Sequence, residues 1–136
     1  MSNLIGKSLH ITWEELACKD GTPYPSKYVA DGRVIELIVM FERIRKHFGD
    51  YSIIINSAYR TIAYNKKVGG TLASQHLFGK ALDLQPPKDI SVRTFYLELF
   101  QNANWMGIRG LGRYKTFCHV DIRDTTELIT WDLSNK

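Results

Sequence analysis

The chain has 136 residues, enough for one domain with its own hydrophobic core and too few for two domains of ordinary size. Apolar residues make up 44% and charged residues 24%, a balance that excludes a disordered tail or a fibrous repeat. The formal net charge of +4 favours acidic partners, but a solvated basic surface explains it equally well, so charge alone assigns no nucleic-acid role. Residues 1–7 carry no basic segment followed by an apolar core, so no secretory signal is read there. The strongest apolar run, residues 34–41, contains Glu36 and is far too short to span a bilayer.

Thr12-Trp13-Glu14-Glu15 is a capping box and predicts a short helix at its C-terminal side. Residues 19–31 contain Gly21, Pro23 and Pro25 and are expected to form a loop. Between residues 32 and 48, Val34, Leu37, Ile38, Phe41, Ile44 and Phe48 recur at helical spacing, and Gly49 supplies the stop. His47, in the last turn, reads as a partner for the helix dipole.

Residues 51–56 are rich in isoleucine and read as a buried strand leading into Ser57-Ala58-Tyr59-Arg60. A short helix is expected over 61–67, stopped by Gly69-Gly70. Gly79 turns the chain into a strand over 80–85, which Pro86-Pro87 ends. A second amphipathic helix over 91–104 buries Val92, Phe95, Tyr96, Leu99 and Phe100. Residues 107–113, with Gly107, Gly110 and Gly112, form a strand or a loop; no dinucleotide fingerprint is complete there. Residues 117–123 are a strand, and 128–133 add an edge strand. Helices and strands mix without regular alternation, which predicts a single α+β domain over residues 1–136 with a small, mostly antiparallel sheet packed by helices.

Strand periodicity locates the candidate chemistry. In 117–123, Cys118, Val120 and Ile122 share one face and His119, Asp121 and Arg123 the other. Over 80–85, Leu82 and Leu84 oppose Ala81 and Asp83. If the two strands neighbour each other, His119 and Asp83 enter one cleft, and the turn at Gly79 brings His76 beside them. Two imidazoles and a carboxylate match a catalytic zinc set with one position left for water. The alternative is an ordinary loop histidine beside a hydrogen-bonded Asp–His pair. Cys18 and Cys118 have no zinc-type spacing and are read as buried free thiols, a disulfide being unsupported.

The segments Ser57-Ala58-Tyr59-Arg60-Thr61, Ser74-x-His76-x-x-Gly79-x-Ala81-x-Asp83 and His119-x-Asp121-x-Arg123 resemble the zinc D-Ala-D-Ala carboxypeptidase family, whose fold is shared with the hedgehog signalling domain. The resemblance runs from about residue 11 into the C-terminal strand. It implies Zn2+ held by His76, Asp83 and His119, with Arg60 near the scissile bond or substrate carboxylate and Ser74 in contact with substrate. It further implies hydrolysis of peptide bonds in bacterial peptidoglycan stem peptides, by carboxypeptidase or endopeptidase action, as in several phage endolysins. Many members place a Glu or Asp general base three residues before the last histidine; here that residue is Thr116. This chain resembles the subgroup ending in His-x-Asp-x-Arg. Asp121 is therefore the expected general base, with orientation of His119 or pairing with Arg123 as the competing role. The missing acidic residue at Thr116 also keeps open a non-catalytic module that binds cell-wall peptide or a protein partner. Without an export signal, the expectation is synthesis in the cytoplasm and delivery to the wall by a lysis or virion system.

Overall fold

A computed structural model describes residues 10–135; residues 1–7, read above for an export signal, lie outside the described residues. The elements in chain order are α1 (Trp13–Leu16), α2 (Ser26–Ala30), α3 (Arg33–His47), β1 (Ile55–Ser57), α4 (Ile62–Lys67), a 3-10 turn (Gln75–Phe78), β2 (Ala81–Leu84), α5 (Val92–Met106), β3 (Gly110–Arg113), β4 (Cys118–Asp121) and β5 (Ile129–Asp132). The capping box forms as expected: the Glu15 amide donates to Thr12 Oγ1 at 3.3 Å and Glu15 Oε1 accepts the Thr12 amide at 2.8 Å.

The five strands lie in the order β1-β2-β4-β3-β5. The first three pairings are antiparallel, and β3–β5 is parallel, so the sheet is mixed and mostly antiparallel. This is the α+β domain anticipated from the pattern of elements. Leu82, Leu84, Leu111, Cys118 and Val120 enter the core with Val34, Leu37, Ile38, Phe41 and Ile44 of α3 and Phe95, Leu99, Ala103 and Met106 of α5. Both cysteines are buried and free. Burial pushes the Cys118 thiol up to about 12, so it packs as a small apolar group.

Five local expectations change or narrow, the first being Phe100, which α5 leaves exposed where the helical pattern had it buried. The stretch 19–31 is not wholly loop, because Pro25 opens the one-turn helix α2. The strand expected over 51–56 starts only at Ile55 and runs to Ser57, where the pairing with β2 lies; Ile54 adds one bond, its carbonyl accepting the Gln85 amide at 2.9 Å, and Tyr51 and Ile54 are exposed. The glycine-rich segment resolves into a regular strand, β3. His47 does more than face the helix end, because its Nε2 lies 2.8 Å from Glu98 Oε1 and ties α3 to α5.

Candidate metal centre

The β2–β4 register pairs Asp83 with His119 and Ala81 with Asp121, and β3 places Gly112 opposite His119 and Gly110 opposite Asp121. Directly opposed residues share a sheet face, so Asp83, His119 and Asp121 project together away from the core. The third group arrives from the 3-10 turn. Ser74 Oγ accepts the His76 amide at 3.3 Å, and Gly79 closes the turn at φ 67°. A Cβ at Gly79 would run into Tyr24 and Tyr28, and Tyr24 donates its hydroxyl to the Gly79 carbonyl at 2.7 Å. Only glycine fits a left-handed turn so closely covered.

His76 Nε2 lies 3.1 Å and His119 Nδ1 3.0 Å from the same oxygen, Asp83 Oδ1. One ligand atom from each of the three residues falls within 4.8 Å of the others, and all three residues are buried. Hydrogen bonding on the far side of each ring decides what these atoms are. His76 Nδ1 lies 2.6 Å from the Ala58 carbonyl, which only accepts, so Nδ1 carries the proton. His119 donates Nε2–H to Asp121 Oδ2 at 2.7 Å. Neutral imidazoles held this way turn two lone pairs toward a carboxylate oxygen. Three acceptors facing one point need a proton or a cation between them, and this donor set fits a divalent metal.

The charges agree. Burial alone would raise the Asp83 pKa, but the His76 and His119 imidazoles hold it well below the usual carboxylate range. Burial would lower the His119 pKa, yet its hydrogen bonds to Asp121 and Asp83 raise it. Burial would likewise raise Asp121; hydrogen bonds from His119 and Arg123 bring it down to about 2 instead.

Asp121 sits behind His119, away from the open side. It is fully buried, and its Oδ2 also accepts from Arg123 Nη2 at 2.7 Å. Its Oδ1 takes the Arg123 amide at 3.0 Å and Nε at 2.9 Å. Every lone pair that could receive a proton from the cleft is engaged. The expectation that Asp121 reaches a cleft water does not match this arrangement. Thr116 is exposed in the β3–β4 turn, closed by the Tyr114 amide on the Phe117 carbonyl at 2.9 Å.

Arg60 stands on the other side of Asp83. Its Nη2 donates to Asp83 Oδ2 at 3.3 Å, Nε to Ser57 Oγ at 3.2 Å and Nη1 to Asn65 Oδ1 at 3.2 Å. Asn65, buried on α4, also donates to the Thr71 carbonyl at 2.8 Å. A cleft of about 590 Å³ opens over these groups, lined among others by Arg60, Ser74, His76, Asp83, Tyr114 and Trp131. Among its lining residues Asp83 is the sole carboxylate.

Sequence reasoning singled out His76, Asp83, His119, Arg60 and Ser74, and the structure brings all five to one cleft. It missed Asn65, Tyr114, Trp131 and the Ala58 carbonyl. Asn65 was one polar residue in a short helix, and a backbone carbonyl leaves no sequence signal. Trp131 carried a faint one, an aromatic within a predicted edge strand.

Residues 9–121 match the family model described as Peptidase M15. The chain belongs to the peptidase M15 family. No curated protein matches the chain as a relative. The match spans the three candidate ligand positions and Ser57–Thr61 and ends at Asp121, short of Arg123, so the M15 chain is a metallopeptidase whose candidate metal centre is His76, Asp83 and His119. No helix among the described residues is long and apolar enough to cross a membrane.

Proposed function

We propose that this M15 protein is a zinc peptidase that hydrolyses a peptide bond in bacterial cell-wall stem peptides, as a carboxypeptidase or an endopeptidase. The convergence of two imidazole lone pairs and a carboxylate on one point supports the metal, and the family supports the reaction class. Use in a phage lysis or virion system is part of the same proposal and rests on the resemblance of the motifs. His76, Asp83 and His119 would hold zinc, which supplies a Lewis acid for the scissile carbonyl and lowers the pKa of water. Arg60, fixed by three acceptors, presents a permanent positive charge at the mouth for a substrate carboxylate or a developing oxyanion. Ser74 spends its oxygen on the His76 amide and keeps its O–H for substrate. Asp121 orients His119 and does not act as the base.

The absence of a second carboxylate along the cleft favours one other reading, a module that holds metal and binds cell-wall peptide without cleaving it. Incubating zinc-loaded protein with purified muropeptides, and following fragments by mass spectrometry, separates the two. Release of D-Ala or of a cleaved stem supports the peptidase and identifies the bond. Binding without any fragment supports the module. In the same assay His76→Ala should lose both metal and turnover; full activity in that variant removes the site assignment.

A further inference from the structure

On the site face of the sheet, β3 carries no side chain at Gly110 or Gly112, and the two vacancies have different occupants. A Cβ at Gly110 would enter the Asp121 carboxylate, and one at Gly112 the Trp131 indole. Trp131 therefore covers Gly112, its ring 5.1 Å from the His119 ring and 5.1 Å from the Arg123 guanidinium. From there its Nε1–H donates to the Tyr114 hydroxyl oxygen at 3.0 Å. Tyr114 is itself held face to face on Phe117, with centroids 4.6 Å apart and planes 4° from parallel.

A hydroxyl has one proton to give, and the indole donor determines where it goes. With an N–H already directed at its oxygen, Tyr114 uses that oxygen as an acceptor and turns its own O–H elsewhere. Among the described residues no protein acceptor takes that O–H. Tyr114 lines the same cleft as His76, Asp83, His119 and Arg60. Arg123 clamps Asp121, and Arg60 spends three of its five N–H donors on Ser57, Asn65 and Asp83, so Tyr114 adds a neutral donor beside the fixed charge of Arg60.

We infer that Tyr114 is a catalytic residue that donates a hydrogen bond to the substrate oxygen on which negative charge develops, and that Trp131 is the positioning residue that aims it. This role rests on the peptidase reading for its substrate, but the orientation of the hydroxyl belongs to the protein alone. A donor of this kind acts more strongly on the transition state than on the bound peptide, so its removal is read in kcat.

Tyr114→Phe keeps the ring on Phe117 and deletes only the hydroxyl. In the zinc-loaded enzyme kcat on a cleaved muropeptide should fall by about 10²–10³-fold with KM little changed, while zinc content stays at the wild-type level. Trp131→Phe, which frees the hydroxyl to rotate, should lower kcat by a smaller factor, again with KM held. A substrate-independent arm uses acetohydroxamate, a small anionic ligand for zinc, titrated into zinc-loaded protein. Wild type should bind it about tenfold or more tightly than Tyr114→Phe, as expected for a lost hydrogen bond to a charged group. If wild type cleaves no muropeptide and the acetohydroxamate difference appears, the substrate assignment fails and the role of Tyr114 stands. Equal acetohydroxamate affinity in the two proteins, or unchanged kcat in Tyr114→Phe, overturns the inference.

Discussion

His119 lies between two carboxylates that do different work. Asp83 offers the oxygen on which both imidazoles converge, whereas Asp121 grips the far nitrogen and is itself gripped by Arg123. Removing the negative charge at Asp121 should therefore be felt in the metal. Asp121→Asn is expected to weaken zinc affinity by roughly 10–100-fold, the usual size of the effect for a group that orients a ligand. Competition with a chromophoric chelator measures this directly. Intact zinc affinity combined with lost turnover would instead make Asp121 the general base. Asn65 makes the matching case on the Arg60 side. Asn65→Ala frees Arg60 from one acceptor and the Thr71 carbonyl from its donor, so turnover should fall roughly 10–100-fold at unchanged zinc content, as for a misplaced positioning group. Unaltered turnover would show that Ser57 and Asp83 suffice to hold the guanidinium.

At the scale of elements, β3 shows how a strand can shape a site by carrying nothing. Gly110→Ala lowers the backbone entropy lost on folding yet pushes a methyl group into the Asp121 carboxylate. Overpacking of this kind costs about 1–3 kcal/mol. Thermal unfolding should show that loss, and zinc affinity should drop with it, because displacing Asp121 releases His119. A Gly110→Ala variant with wild-type stability and zinc binding would mean that the strand yields freely. This explains why the segment 107–113 was hard to read. Glycines at 107, 110 and 112 are compatible with a flexible connection, and only the register opposite Asp121 and His119 gives two of them a purpose. The apolar-polar alternation in 117–123 and 80–85 was legible because one face of each strand must enter the core, and this alone put His119 and Asp83 on the open side. The place of Asp121 was not legible. Periodicity assigns a face, whereas the direction of a carboxylate depends on the imidazole and guanidinium it meets. The truncated strand at 51–56 failed for a related reason: β-branched residues propose a strand, and the reach of the neighbouring strand decides its length.

For the molecule as a whole, the centre couples folding, protons and metal. Without metal, the three converging acceptors repel unless a proton lies among them, and the hydrogen bonds of His119 to Asp121 and Asp83, which raise its pKa against burial, favour that proton. A group whose pKa is higher when folded contributes stability that is complete below its unfolded value, roughly 6.5, and is lost as pH climbs through the folded value. Asp83 and Asp121, both depressed, act in the opposite sense: their contribution is present above roughly 3.9 and disappears as pH falls toward their folded values. The chelator-treated protein should therefore be most stable between about pH 4 and 6.5 and lose stability on the alkaline side. Zinc replaces the proton, so it should abolish the alkaline loss. The gain in melting temperature on adding zinc should consequently grow from pH 5 to pH 9. At free zinc about a thousandfold above its dissociation constant the gain corresponds to about 4 kcal/mol, on the order of 10 °C for a domain of this size. Calorimetric scans with and without chelator across that range give the answer. A zinc increment that is the same at every pH would mean that the centre carries no exchangeable proton, and the argument from three facing acceptors would fall with it.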